Sequence, residues 1–205
     1  MLHYSTIDAS TLELLKKLQG DNAFSSTRLA GGTSLALQIG HRKSIDLDLF
    51  GHIDEDLYSI SEKINKLGKV TTLKNNKNLH IYLINSIKVD LVNYPYPWID
   101  KAIIEDNLIL AGKKDIAAMK LAAITGRGAK KDFIDLCFLL NYFSLSEMIS
   151  FFKEKFKDGS EFLVIKSLSF FEDADQDEEP VMLETHNWKK TKTTITNHLK
   201  EYLTK

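Results

Sequence analysis

The stretch "GGTSLALQIGHRKSIDLDLF", Gly31 to Phe50, decides how the rest of the chain is read. Two glycines open it. Two aspartates, Asp46 and Asp48, stand near its end among Ile45, Leu47, Leu49 and Phe50. Aspartate is depleted in strands and is seldom buried without a partner. On a strand, residues two apart face the same side, so Asp46 and Asp48 point together while Leu47 and Leu49 point to the core. The same arrangement recurs in "IKVDLVNY", where Asp90 sits between Val89 and Leu91. Three deprotonated carboxylates on neighbouring strands repel one another, and a divalent cation relieves that repulsion. Oxygen donors suit Mg²⁺, or Mn²⁺, which keeps waters and bridges to phosphates. Asp46, Asp48 and Asp90 are therefore the candidate metal ligands. A zinc site does not fit, because His41, His52 and His80 lack ligand spacing and no cysteine joins them. For Asp90 a structural ion pair with Lys88 or a distant arginine is the competing reading.

Upstream, Gly31 and Gly32 lie between a short strand and a helix expected to begin at Thr33. Glycine permits close approach of a phosphate to the backbone. The first N–H groups of a helix have no intrahelical partner and favour anions. The Thr33 and Ser34 hydroxyls can add hydrogen bonds. Gly31, Gly32, Thr33 and Ser34 are thus candidate substrate-binding residues, although a glycine pair alone marks only a turn. Arg42, in the loop before the aspartates, either meets phosphate or braces Asp46 or Asp48.

Working outward, Thr11 to Leu18 reads as a helix with Ser10 as its cap, and "STRLAGG" as a short strand. Asp54 is expected to cap a helix running to Leu67, with Leu57, Ile60, Ile64 and Leu67 at helical spacing. Three strands follow in "KVTTLKN", "NLHIYLI" and "IKVDLVNY". The prolines of "YPYPWID" break regular structure. From Lys113 the pattern is helical: "DIAAMKLAAITGR", "AKKDFIDLCFLLNYF", Ser146 to Phe156, "SEFLVIKSLSFF" and "NWKKTKTTITNHLKEYLTK". The acidic run from Glu172 to Glu179 reads as a solvated loop. The fold class expected is α+β, a small mixed-sheet domain over residues 1–100 followed by a helical domain over residues 101–205.

Composition narrows the function classes. The 205 residues carry a formal net charge of −1, so no global field steers the chain toward nucleic acid. The apolar share of 43 % supports a packed core and argues against disorder. The single cysteine, Cys137, cannot form an internal disulfide, which fits a reducing cytoplasm. The N-terminus lacks a signal-peptide pattern, and no apolar run spans a bilayer, so no membrane partner is expected.

The glycine pair, thirteen residues and then Asp46-Leu47-Asp48-Leu49 resemble the signature of the polymerase-β-type nucleotidyltransferase superfamily. More narrowly, "HRKSIDLDLF" is similar to the abortive-infection toxins of the AbiEii/AbiGii type, with their HR-x-S-x-D-L-D-L-F pattern. "MKLAAITGRGAKKDFIDLCFLL", Met119 to Leu140, resembles the same family's helical motifs, a lysine, an arginine and then KD-x-x-DL. The resemblance implies Mg²⁺-dependent transfer of a nucleotide from an NTP such as ATP or GTP to an acceptor, RNA and notably tRNA in some members. It also implies an antitoxin partner within a toxin–antitoxin or phage-defence system. By resemblance, Asp46 and Asp48 are metal ligands, Lys120 binds triphosphate, and Asp132 serves catalysis or acceptor activation. Arg127, Lys131 and Asp135 fall at the remaining motif positions.

The helical residues also carry a reading of their own. Lys120 and Arg127 are seven apart on one helix face and can neutralise the phosphates leaving as pyrophosphate. Asp132 and Asp135 are three apart on the next helix. The competing reading is a structural network with Arg127, Lys130 or Lys131. At the level of function, two alternatives remain beside nucleotide transfer: a nucleotide-binding regulatory module without turnover, and a kinase-like phosphotransferase.

Overall fold

The computed structural model describes residues 1–204. The chain divides into two compact units: Met1–Tyr96 with Ala102–Ala111, and Pro97–Lys101 with Gly112–Lys205. The sequence-based boundary at residue 100 is thus redrawn. The segment 102–111 returns to the first unit, and 97–101 belongs to the second.

The first unit is built on a mixed sheet. Its strands are β1 (Thr27–Leu29), β2 (Leu47–Gly51), β3 (Val70–Asn75), β4 (Leu79–Ile84), β5 (Ile87–Asn93), β6 (Ile103–Glu105) and β7 (Leu108–Leu110). They lie in the order β3-β4-β5-β2-β1-β7-β6. The hairpins β3–β4, β4–β5 and β6–β7 are antiparallel, as is β1–β2, whereas β2–β5 and β1–β7 are parallel. The sheet therefore combines local hairpins with two long-range crossovers. Helices α1 (Ala9–Gly20), α2 (Gly31–Ile39) and α3 (Leu57–Asn65) complete the unit.

Period-two burial organises the central strands. Leu47 and Leu49 on β2, and Val89 and Leu91 on β5, are fully buried, while Asp48 and Asp90 between them are half-buried. The apolar side packs with Leu14, Leu15 and Leu18 of α1 and with Ile60 and Ile64 of α3 in one core. This burial favours the fold by roughly 25 cal/mol per Å² of apolar surface removed from water.

Two helix starts differ from expectation. α3 is capped by Asp56, whose carboxylate accepts from the Tyr58 and Ser59 N–H groups, and not by Asp54. Asp54 instead lies 2.7 Å from His52 Nε2. α2 begins at Gly31, two residues before Thr33, and ends at Gly40, whose positive φ of 76° is the usual left-handed stop.

The second unit is helical: α4 (Lys113–Gly126), α5 (Lys130–Leu139), α6 (Leu145–Lys155), α7 (Glu161–Leu168), α8 (Glu172–Gln176) and α9 (Trp188–Leu203). Ser144 begins α6 with a reciprocal capping box to Glu147. The acidic run is not a loop throughout, since α8 occupies Glu172–Gln176. Its acidic first turn matches the positive end of the helix dipole. The unit's core includes Leu121, Phe133, Leu136, Met148, Phe152, Val164, Leu168 and Ile195. Among the described residues no helix is long and apolar enough to cross a membrane.

Candidate active site

The N-terminus of α2 and the start of β2 build the first cluster. Gly31 has a φ of +64°, which an L side chain adopts only with strain. A Cβ at Gly31 would overlap Asp48 Oδ2, with Asp48 Cγ 3.1 Å away. The carboxylate of Asp48 therefore lies directly against the glycine turn. Ala30 N–H donates to the Asp48 carbonyl at 2.8 Å, which fixes the same two segments through the backbone. A carboxylate beside a helix N-terminus, an arrangement that suits a metal and a phosphate, is thus present in one unit.

Asp46 sits immediately before β2 and not within it. Its position is set by Thr33, whose Oγ1 donates to the Asp46 carbonyl and lies 2.8 Å from Ser44 Oγ. Ser44 N–H in turn donates to the Thr6 carbonyl at 2.9 Å. These contacts correct one expectation. Thr33 and Ser34 are both buried, the Thr33 hydroxyl is held by the aspartate loop, and Ser34 Oγ accepts from Gln38 Nε2 at 3.1 Å. The Thr33 hydroxyl holds the aspartate loop, and the Ser34 hydroxyl is engaged within α2 itself. Arg42 is buried, with Nη1 donating to the Lys43 carbonyl at 2.9 Å. His41 beside it is buried as well.

Parallel pairing of β2 with β5 places Asp48 and Asp90 directly opposite each other in register. Both project to the face opposite Leu47, Leu49, Val89 and Leu91. Lys88 Nζ reaches both Asp90 oxygens, at 2.6 and 2.7 Å, so the ion pair weighed against the metal role is formed. Among the described residues no group of three or more histidine, cysteine, aspartate or glutamate side chains is gathered for metal binding. The expected triad is therefore not preassembled: Asp90 stands beside Asp48 but carries Lys88. Asp46 and Asp48 still fit a hard cation. The Asp48 carboxylate lies next to a helix N-terminus, and Mg²⁺ characteristically takes one or two carboxylates plus waters and substrate phosphates.

The second cluster lies wholly within the helical unit. Lys120 Nζ is 2.9 Å from Asp132 Oδ1 and 2.5 Å from Asp135 Oδ2. Arg127 grips the same Asp132 twice, Nε to Oδ2 at 2.7 Å and Nη2 to Oδ1 at 3.0 Å. Lys120 is only 4 % exposed and both aspartates are fully buried. Burial pushes the Asp132 carboxyl up, but the Lys120 charge and the Arg127 and Lys120 hydrogen bonds outweigh it, and its pKa lies below the ordinary value. Asp132 is thus enclosed and held at both oxygens, and Lys120 meets two carboxylates inside the unit, so the structural network weighed against the catalytic reading is formed. Arg127 alone of the four keeps an exposed side chain, at 59 %. Lys131 is half-buried at the start of α5.

Sequence reasoning missed a further buried pair. Lys155 Nζ lies 2.7 Å from Asp115 Oδ1 and donates to the Pro97 carbonyl at 2.7 Å. Asp115 also accepts from the Ile99 and Asp100 N–H groups, both at 2.9 Å. The "PWID" segment is thereby fastened to α4 and α6. Lys155 in "FKEKFK" looks like a surface residue, and no local pattern betrays its burial.

With this geometry established, the relatives can be set beside it. The family model described as "Nucleotidyl transferase AbiEii toxin, Type IV TA system" matches residues 13–105 and 110–203. The chain belongs to this family. It is a nucleotidyltransferase of the toxin type. The protein aq_aa25 of Aquifex aeolicus (strain VF5) is 37 % identical over 201 residues, covering 93 % of this chain and 95 % of that one. Three solved structures share the fold. JHP933 from Helicobacter pylori has 18 % identity and a TM-score of 0.57 over 95 % of this chain and 92 % of its own. A second H. pylori structure has 16 % identity and a TM-score of 0.58, covering 95 % of each chain. MenT4, a nucleotidyltransferase toxin of Mycobacterium tuberculosis H37Rv, has 13 % identity and a TM-score of 0.58 over 94 % and 84 %. The mixed α/β architecture expected from the sequence is the fold of this group.

Proposed function

We propose that the chain is a Mg²⁺-dependent enzyme that transfers a nucleotide from an NTP to a hydroxyl of an acceptor, with RNA such as tRNA as the acceptor class. The observation that carries this reading is the seating of the Asp48 carboxylate against the Gly31 turn at the N-terminus of α2. Asp46 and Asp48 would hold the metal, which when bound supplies charge neutralisation at the phosphates.

The residues of the chain contribute the following. Backbone N–H groups of Gly31, Gly32 and Thr33 present partial positive charge to the β- and γ-phosphates. Thr33 holds the Asp46 carbonyl, so the carboxylate-bearing loop keeps its place relative to that cradle. The acceptor oxygen forms a bond to the α-phosphorus as the bond to the β-phosphate oxygen breaks, and pyrophosphate leaves. Asp90, beside Asp48 on the polar face, receives the acceptor proton once Lys88 yields an oxygen. Lys120, Asp132 and Asp135 act at one remove, by fixing Arg127. The family's toxin–antitoxin character makes an antitoxin the protein partner of this reading, which assumes a cytoplasmic reaction.

Incubation of the protein with Mg²⁺, total RNA and each NTP, labelled in turn at the α- or γ-phosphate, tests the reading. Transfer of the α-label to RNA supports it. Transfer of the γ-label identifies a kinase-like reaction, and binding without transfer identifies a regulatory module.

A further inference from the structure

The helical unit holds a cavity of about 550 Å³, and Arg127 is the one motif candidate in its lining. One wall is the end of α4 and the turn after it, Ile124 to Gly128. The other is formed by α7 and the following turn, from Leu163 to Phe170, with Asp173 of α8 at the edge. Its volume lies within the roughly 300–1,000 Å³ of small-molecule sites.

The lining has two chemical characters. Two cations enter it, Arg127 and Lys166. The bidentate grip of Asp132 fixes the plane of the Arg127 guanidinium while its side chain stays 59 % exposed. Lys166 forms no ion pair among the described residues, although Asp173 lines the same cavity. The hydroxyl-bearing residues Thr125, Ser167 and Ser169 stand among them. Against this polar side lie Leu163 and Phe170, exposed at 47 % and 49 %. Large apolar side chains left open to solvent inside a concave site are what a planar ring covers.

We propose that this cavity binds a nucleoside monophosphate unit, with the phosphate at Arg127 and Lys166 and the base against Phe170 and Leu163. The inference rests on the nucleotidyltransferase reading for its choice of ligand class. Asp173 sharpens that choice. A carboxylate in the lining disfavours the dense charge of a triphosphate and accepts from a ribose hydroxyl instead. A single phosphate with one base is the chemistry of a free nucleoside monophosphate and equally of one nucleotide within an RNA strand. The site would give the C-terminal third of the chain a role in selecting the ligand.

Calorimetric titration of the full chain in EDTA, which removes the Mg²⁺ that the NTP site requires, with AMP, with ATP, with inorganic phosphate and with an eight-nucleotide single-stranded RNA tests this. Saturable binding of AMP or RNA, tighter than that of ATP or phosphate, is expected. Tighter RNA binding assigns the site to the strand, and tighter AMP binding assigns it to the free nucleotide. Lys166→Glu and Phe170→Ala should each weaken that binding about tenfold while the thermal midpoint holds, since both side chains lie at the cavity surface. Lys166→Gln checks the charge effect should Lys166→Glu disturb folding. Asp48→Asn should abolish nucleotide transfer and leave this binding intact, which separates failure of the pocket from failure of the enzyme reading. Absence of saturable AMP and RNA binding, or unchanged affinity in folded Lys166→Glu and Phe170→Ala, overturns the proposal.

Discussion

Gly31 lies so close to Asp48 that a methyl group on Gly31 would occupy the space of the Asp48 carboxylate. The turn and the Asp48 carboxylate are therefore one structural unit. Gly31 also has a φ of +64°, so Ala at this position meets both strain and overlap. Gly31→Ala should lose roughly 1–2 kcal/mol of stability from the backbone alone. It should also lower nucleotide transfer by at least about tenfold, because Asp48 must move. Urea denaturation and a transfer assay on the same preparation check the two effects separately.

Thr33 carries the loop that presents Asp46. Thr33→Val keeps the shape and removes the hydroxyl, leaving the Asp46 carbonyl without that donor. The expected cost is about 1–3 kcal/mol, with transfer reduced and with tighter dependence on Mg²⁺ concentration. A Thr33→Ser substitution keeps the hydroxyl and should restore most of both. Equal loss in Val and Ser variants would show that the methyl group, and not the hydrogen bond, matters.

Asp90 and Asp132 are both embedded carboxylates in the sequence, but their surroundings differ. The side chains of Lys88 and Asp90 are 39 % and 18 % exposed, and such pairs contribute about 0–1 kcal/mol. Asp90→Asn should therefore leave the thermal midpoint nearly unchanged and reduce transfer sharply. Asp132→Asn should do the reverse in emphasis, costing about 3 kcal/mol because it breaks a buried network. Parallel melts and rate measurements on the two variants check the assignment.

Acid sensitivity follows from Asp132. Its folded pKa is depressed, so its stabilising contribution is present above the unfolded carboxylate value of about 4. That contribution is lost as pH falls through the lower folded value. Unfolding free energy measured from neutral pH downward should fall more steeply below about pH 4 in the parent than in Asp132→Asn. Parallel curves for the two proteins would show that Asp132 does not titrate in this way.

The buried Lys155–Asp115 pair anchors "PWID". Lys155→Met leaves a buried carboxylate with only its two backbone donors, and should cost about 3–5 kcal/mol. Adding Asp115→Asn should recover part of that loss. Chemical denaturation of the single and double variants measures the coupling.

Much of this was legible in the chain because local periodicity is written locally. The alternation around Asp48 and Asp90, the turns between β3, β4 and β5, and the helices from Lys113 onward all rest on neighbours in sequence. The β6–β7 hairpin escaped, although Asp106 and Asn107 adopt the positive φ values of a tight turn. Its strands have three residues each, too few to show a period, and β7 finds its partner β1 about eighty residues away in a parallel pairing. Register between β2 and β5 was likewise invisible, yet it is what puts Asp48 beside Asp90. Lys120 shows a different limit. Helical spacing placed it at the edge of the apolar face, but only the packing of α5 on α4 reveals that its charge is met by Asp132 and Asp135.

The central claim is that Asp48 holds a metal for transfer of a nucleotide. The most direct test compares the parent protein with Asp48→Asn in Mg²⁺, α-labelled NTP and total RNA, with thermal melts confirming that both are folded. The account predicts α-label on RNA with the parent and a loss of at least about a hundredfold with Asp48→Asn. Full transfer by the folded variant would contradict it.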